Sequence, residues 1–286
     1  MGHLGCCGIL LFLAVFQSTS SLIEQFERIG RKARGHVGAA VMLIETGESL
    51  GFHADERFPM QSVFKLPIGM AALREVDRGR LSLGQNIVVK KSDLVPRNTY
   101  SRIRDQHPEG GFEMTVRELL WVMMVESDGT ACDVLLRLAG GPAAVTEYLR
   151  ALGVKGVTVA TSEKEMLQGP RVQYRNWATP HGALDVLRRL QQGTAISMPN
   201  GNLLLKFMGE STTGPRRIKG LLPAGTVVSH KTGTSGAVTN DVGIVTLPDG
   251  RHLAVAVFVS DSRAGDAERE QVIAEIARAA WDRYAR

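Results

Sequence analysis

Cysteine is nearly absent from this chain: three among 286 residues, Cys6, Cys7 and Cys132. Cys6 and Cys7 fall in an N-terminal segment that reads as removable, so the mature chain keeps only Cys132 and cannot close an internal disulfide. Cys132 reads as a core position. A catalytic thiol needs an electropositive, partly open site, and nothing beside Cys132 in sequence supplies one. Aromatic residues are scarce at 6 %, and lysine and arginine are spread rather than gathered in one block. A stacking platform for nucleic acid is thereby excluded, and no nucleic-acid partner is expected. The histidines are scattered, with no ligand spacing to a carboxylate or cysteine, so neither a metal nor another cofactor is implied. No apolar run spans a bilayer comfortably, and there is no internal repeat or low-complexity linker.

What is present suits a soluble globular protein. Hydrophobic residues make up 44 % and charged residues 22 % of a chain long enough for one large or two interleaved domains. The formal net charge of +5 gives a basic surface that helps to collect anionic ligands. The run from Gly8 to Phe16, followed by Gln17-Ser18-Thr19-Ser20-Ser21, reads as a secretory signal peptide over residues 1–20 with cleavage near Ser20, an uncleaved membrane anchor being the alternative. Its n-region is atypical, with His3 its only ionisable side chain. Met1-Gly2 resembles a myristoylation start but lacks the serine or threonine expected where Cys6 stands. The expected location is periplasmic or secreted, with no membrane contact in the mature form and a monomeric state.

Strand and helix signals segregate along the chain. Ser21-Leu22-Ile23-Glu24 is a capping box opening a helix to about Ala33. Val37 to Ile44 and Ser49 to His53, around Thr46-Gly47, predict a hairpin. Helices are predicted from Ser62 to Arg78, over Leu119 to Val125 behind the Thr115 to Glu118 capping box, from Asp133 to Ala139, from Pro142, from Pro180 to Gln192, and over Asn202 to Met208. Thr226 to Thr232, Val242 to Leu247 and Leu253 to Ser260 predict strands, and Asp266 to Tyr284 a closing helix. Strands at both ends with helices between them predict an α/β fold. One antiparallel sheet is built from both termini and flanked by helices, with a helical domain inserted. The expected division is 21–60 with 210–286, and 61–209.

Four stretches carry chemistry. In Ser62-Val63-Phe64-Lys65, a helical spacing of three puts the hydroxyl and the amine on one face. A serine is a weak nucleophile until a base takes its proton, and a lysine of lowered pKa can serve. On an ordinary helix the same pair would be solvated. Ser127-Asp128-Gly129 offers a second hydroxyl to relay a proton, or simply caps a helix. Lys231-Thr232-Gly233-Thr234-Ser235-Gly236 ends a strand with positive charge, hydroxyl donors and a glycine that permits close backbone approach; a bulge or hairpin turn explains it equally well. Ser162-Glu163-Lys164-Glu165-Met166 lies in a long aperiodic segment from Val159 to Trp177, of the kind that is often functional, although a solvated charged loop would read the same.

Taken in this order, the four stretches resemble the motif set of class A serine β-lactamases and penicillin-binding proteins. The resemblance runs from about Ser21 to the C-terminus. Val172-Gln173-Tyr174-Arg175-Asn176-Trp177 and His230 to Gly236 resemble the PER-like, extended-spectrum branch. It implies a serine β-lactamase/penicillin-binding-protein fold, small-molecule β-lactam substrates, and hydrolysis of penicillins and cephalosporins that gives antibiotic resistance. It implies Ser62 as acylated nucleophile, Lys65 in proton transfer, Ser127 as donor to the departing nitrogen, and Glu163 as activator of the hydrolytic water, with Glu165 the next candidate. Lys231, Thr232 and Thr234 would hold the substrate carboxylate, and the N–H groups of Ser62 and Thr234 would form an oxyanion hole beside Gly233. Arg217 is a candidate carboxylate anchor or one of several surface arginines, and Tyr100 a candidate cleft-flanking aromatic or an ordinary loop residue. Three positions depart from the family pattern. Gly129 replaces an asparagine that contacts the substrate acylamide, Leu167 stands where a polar residue helps to hold water, and Asp133 stands where many relatives have asparagine. Gln61 and Ser235 occupy the positions of a cysteine pair found in some carbapenem-hydrolysing relatives. His230 reads as a strand residue rather than a base. The alternatives are a penicillin-binding DD-peptidase and a β-lactam-sensing domain that stays acylated.

Overall fold

Side chains alternate faces along a strand, and the first hairpin divides its apolar residues accordingly. In β1 (His36–Leu43), Val37, Ala39, Val41 and Leu43 join one core, while Ala40 and Met42 join another on the opposite face. The sheet is therefore covered on both sides. The computed structural model describes residues 21–285; the signal-peptide reading and Cys6 and Cys7 lie outside them.

Helix α1 (21–30) precedes β1, and β2 (Ser49–Phe52) completes the hairpin. A short β3 (Phe58–Pro59) leads into a 3-10 turn, Gln61–Phe64, and then α2 (Lys65–Asp77). The middle of the chain holds β4 (Asn86–Val89), α3 (Arg102–Gln106), β5 (Phe112–Thr115), α4 (Val116–Val125), α5 (Gly129–Leu138) and α6 (Gly141–Ala151). After β6 (Val157–Thr158) come α7 (Glu163–Met166), β7 (Trp177–Ala178), α8 (Pro180–Gln191) and α9 (Met198–Gly209). The chain closes with β8 (Val228–Ser235), β9 (Val238–Thr246), β10 (His252–Ser260) and α10 (Asp266–Tyr284).

The main sheet runs β2-β1-β10-β9-β8, all pairs antiparallel, so both ends of the chain build it. Helices α1 and α10 pack their apolar faces on one side through Phe26, Ile273 and Ile276. The larger core on the other side gathers α2, α4, α5, α8 and α9 around Phe64, Met123, Leu135, Leu184 and Leu204. This is the predicted α/β arrangement.

Several boundaries differ from the sequence reading, β8 and α9 among them, and three of the differences bear on the site. Ser62 sits in the 3-10 turn, and the α-helix starts at Lys65. Gln61 takes a left-handed φ of 48°, which a regular helix cannot contain, and Pro67 lies in the first turn of α2, where its missing N–H costs nothing. Helix α5 starts at Gly129 because the Asp128 carboxylate accepts the Ala131 N–H and caps it. The segment from Val159 to Trp177 contains α7 and a further 3-10 turn at Val172–Arg175, both too short to show periodicity.

Candidate active site

The site begins with the strained turn. Gln61 is buried with φ 48°, a conformation that persists in a non-glycine residue only when its surroundings hold it. Asn240 on β9 supplies part of that hold. Its Nδ2 donates to the carbonyls of Pro59 (2.8 Å) and Met60 (3.1 Å), and its Oδ1 accepts the Val259 N–H (3.2 Å). The next strand closes in as well. A Cβ built on Gly233 would meet the Met60 carbonyl oxygen at 2.4 Å, so only glycine lets β8 lie against the turn carrying Ser62.

Lys65, one residue into α2, is 1 % exposed. Its Nζ donates to Ser62 Oγ at 2.7 Å and to a carboxylate oxygen of Glu163. Burial favours the neutral amine, but the Glu163 carboxylate outweighs it, and the Lys65 pKa is raised. Lys65 is therefore an ammonium joining two groups that lie 101 positions apart in the chain, Ser62 and Glu163.

Ser127 occupies the break between α4 and α5 with φ 64°. Asp128, fully buried, fixes that break by accepting from the N–H groups of Ala131 and Ile103, each at 3.0 Å, and from Ser101 Oγ. Ser127 Oγ accepts a 3.0 Å hydrogen bond from Lys231 Nζ. Lys231 lies on β8 with 0 % exposure. Burial, reinforced by repulsion from the Lys65 ammonium, lowers its pKa to about 7. Two buried lysines at one polar centre thus shift in opposite directions, and only Lys65 has a carboxylate in contact.

The segment carrying Glu163 is tied down at two places. Asp133 on α5 accepts the N–H of Glu163 (2.7 Å) and of Lys164 (3.2 Å). Its own carboxyl is raised to about 6, chiefly by burial. Asn176 closes the neck: its Oδ1 accepts the N–H groups of Ala160 (2.7 Å) and Thr161 (2.9 Å), and its Nδ2 donates to the Thr161 carbonyl (3.0 Å). The two glutamates separate by role. Glu165 reaches back to accept the Ser162 N–H in a capping box, whereas Glu163 is buried and faces Lys65.

These groups open onto a cleft of about 710 Å³ lined by, among others, Ser62, Lys65, Ser127, Glu163, Thr232 and Thr234. Arg217 lies beneath β8, donating to Thr234 Oγ1 (2.7 Å), to the carbonyls of Gly233 (3.3 Å) and Asn240 (3.0 Å), and to Glu270. It is buried rather than one of a group of surface arginines. Thr232 Oγ1 pairs with Thr213 Oγ1 at 2.6 Å. Tyr100 stands at the rim, 58 % exposed, and Leu167 also lines the cleft at 37 % exposed.

Gly129 is not among the lining residues. Its N–H donates to the Tyr100 carbonyl (3.0 Å), and a Cβ there would meet Thr99 Cγ2 at 2.7 Å. His230 pairs with Asp241 inside the sheet (2.8 Å), both without exposed surface, in keeping with a strand residue.

Sequence reasoning passed over Asn240 as a support of the turn and Asn176 as the loop's clasp. Asn240 lies in the polar run Thr239-Asn240-Asp241, just before the predicted strand Val242 to Leu247, and no signal sets it apart there. Asn176 stood in a stretch quoted only for its likeness to relatives.

A turn-borne serine touching a helix lysine, with a second serine, a buried glutamate and a strand lysine converging on them, defines a serine acyl-transfer enzyme. Comparison with known proteins sharpens that class. Residues 21–284 match the family model described as the β-lactamase enzyme family. The chain is 44 % identical over 266 residues to the extended-spectrum β-lactamase PER-1 of Pseudomonas aeruginosa, covering 91 % of this chain and 86 % of that protein. It is 36 % identical to β-lactamase VEB-1 of the same organism, covering 96 % and 95 %. The crystal structure of a β-lactamase from Chitinophaga pinensis superposes with a TM-score of 0.89 at 45 % identity, covering 92 % of this chain and 99 % of that one. The TLA-1 extended-spectrum β-lactamase structure superposes with a TM-score of 0.90 at 39 % identity, covering 94 % and 99 %. The chain belongs to the β-lactamase enzyme family, as a class A serine hydrolase of the PER-like branch.

Proposed function

We propose that Ser62 carries the acyl group in β-lactam hydrolysis by this enzyme, with Lys65, Glu163, Ser127 and Lys231 moving the protons. The observation that carries the reading is the buried contact of Lys65 with both Ser62 and Glu163. As Ser62 Oγ attacks the lactam carbonyl, its proton passes to Lys65 while Lys65 gives one to Glu163. The carboxylate is thus the net base, because a lysine held as an ammonium cannot itself take a further proton. The N–H groups of Ser62 and Thr234 are suited to the oxyanion. The C–N bond breaks, and the nitrogen takes a proton from Ser127, which is resupplied from Lys231 at 3.0 Å. Glu163 then releases the proton it took, and Lys231 regains the one it gave, by exchange with solvent in the cleft. Glu163 next takes a proton from a water attacking the acyl carbon, Ser62 leaves with a proton from Lys65, and Glu163 hands its proton to Lys65 across their contact. Each residue ends as it began, and the product is the ring-opened acid.

Lys231, Thr232 and Thr234, with Arg217 behind them, are suited to hold the carboxylate of penicillins and cephalosporins, with Gly233 giving β8 its close approach. Tyr100 flanks the entrance. Gly129 brings no side chain to the acylamide, and its surroundings leave no room for one, so that contact falls to the cleft walls. Leu167 argues for slow release of the acyl group, the one feature that favours the acylated end-states of a DD-peptidase or a sensor.

Export to the periplasm or secretion after loss of residues 1–20, action as a monomer, and the division into 21–60 with 210–286 and 61–209 belong to the same reading. No helix of the described residues is long and apolar enough to cross a membrane.

A fluorescent penicillin tests the nucleophile. The parent is expected to become labelled and to turn over a chromogenic cephalosporin, and Ser62→Ala to do neither while keeping its melting temperature. Labelling that survives in Ser62→Ala would remove Ser62 from this role.

A further inference from the structure

Outside the cleft, one cluster combines two imidazoles and a carboxylate. His36 opens β1, and His53 and Glu56 lie in the turn after β2, where the Glu56 N–H donates to the His53 carbonyl (3.2 Å). His36 stands 17 positions before His53 and 20 before Glu56, so although His53 and Glu56 are three apart, the set of three does not show as one motif. The antiparallel register that pairs Ala39 with Phe52 brings the three to one end of the hairpin. One ligand atom from each lies within 4.8 Å of the other two, and none of the three residues lines the cleft.

The rings are held in place rather than free. His53 adopts a left-handed φ of 47°, a cost that its surroundings must repay. Its Nδ1 lies 2.9 Å from the Val37 carbonyl oxygen. That oxygen can only accept, so Nδ1 carries the proton and Nε2 keeps its lone pair. This is the ring orientation and tautomer that a backbone carbonyl imposes on metal-binding histidines. His53 stacks on Phe52 (3.9 Å between centroids) and His36 on Phe58 (4.4 Å). His36 Nε2 meets Glu56 Oε2 at 2.5 Å, so an imidazole nitrogen and a carboxylate oxygen already converge on one point.

We propose that His36 Nε2, His53 Nε2 and a Glu56 carboxylate oxygen bind one divalent ion of the borderline class, Zn²⁺ foremost. Two imidazoles and a carboxylate form a recurrent zinc donor set, with bonds of about 2.0–2.2 Å and a fourth position left for water. The ion takes the place of the proton now between His36 and Glu56, and His36 then carries its proton on Nδ1. Bound there, the ion clamps the open end of the β1–β2 hairpin to the following turn. Affinity for the folded chain stabilises it by mass action. The site is partly exposed, so ions reach it without unfolding.

The test uses the full processed chain without a polyhistidine tag. Zn²⁺ binding is measured by competition with a zinc-chelating dye, and melting temperature is followed with and without Zn²⁺. The parent is expected to bind one ion and to melt higher with zinc. His53→Ala and Glu56→Gln are expected to weaken binding at least about tenfold and to lose the zinc-dependent rise. His181→Ala, which alters the neighbouring His181–Asp55 pair, is expected to bind as the parent does. All four proteins should hydrolyse a chromogenic cephalosporin alike, which shows that the variants fold. Absence of stoichiometric zinc in the parent, or zinc retained by both His53→Ala and Glu56→Gln, would overturn the proposal.

Discussion

At the scale of single residues, the site turns on how two buried lysines are treated. Lys65 has Glu163 in contact and is held as an ammonium, whereas Lys231 has only a serine hydroxyl and a backbone carbonyl as hydrogen-bond partners. Burial and the Lys65 charge bring Lys231 to about 7. If the charged form holds the substrate carboxylate, kcat/KM for a penicillin should fall as pH rises through about 7, because that ratio reports the free enzyme. Lys231→Arg, which stays charged, should lose that limb while keeping measurable binding. A limb unchanged in Lys231→Arg would assign it to another group. The same shift has a stability sign. The folded Lys231 pKa lies below the unfolded value, so the folded chain holds fewer protons than the unfolded chain between about 7 and 10.5. Burying the charge costs stability below that window, and the cost is relieved as pH rises through it. Gly129 shows why one motif departure is consistent with its neighbourhood: Thr99 fills the space where a larger side chain would stand.

At the scale of elements, short pieces of chain are held by side chains from longer ones. Helix α7 has four residues and could not persist in isolation. Asp133 on α5 accepts two of its N–H groups, and the Ser162–Glu165 capping box satisfies others. Asp133→Ala leaves the Glu163 and Lys164 N–H groups without their acceptor, a destabilisation of about 1–3 kcal/mol per buried group. It is expected to slow deacylation more than acylation, because Glu163 loses its position while Ser62 keeps its turn. Chemical denaturation and pre-steady-state kinetics read the two effects, and equal slowing of both steps would contradict the assignment. The long elements were legible in the sequence. Helix α10 begins and ends at the predicted Asp266 and Tyr284, and β1 and β10 follow their apolar runs. Apart from β2 in its hairpin, elements of two to five residues, such as β3, β6 and α3, were not, because they are fixed by tertiary partners rather than by a repeating pattern. The Ser62 turn was mistaken for helix because the i, i+3 placement of serine and lysine is nearly the same in a 3-10 turn leading into a helix.

At the scale of the whole molecule, the site exists because the sheet is assembled from both ends of the chain. Ser62, Ser127 and Glu163 come from the segment between the early hairpin and the late strands, while Lys231, Thr232 and Thr234 come from β8. Asn240 and Gly233 bring the two parts together at the turn. The candidate residues were legible as an ordered set of motifs. What holds Glu163 against Lys65, and what supports the strained turn, were not, since both depend on contacts between segments distant in sequence. The central claim is that Ser62 is acylated and that Glu163 is needed to free it. Mass spectrometry of quenched reactions of Glu163→Gln with a good penicillin substrate tests it most directly. The account predicts that the intact chain gains the mass of one substrate, located on Ser62, and keeps it long after the parent has returned to its free mass. A Glu163→Gln enzyme that turns over as fast as the parent, with no accumulated adduct, would contradict it.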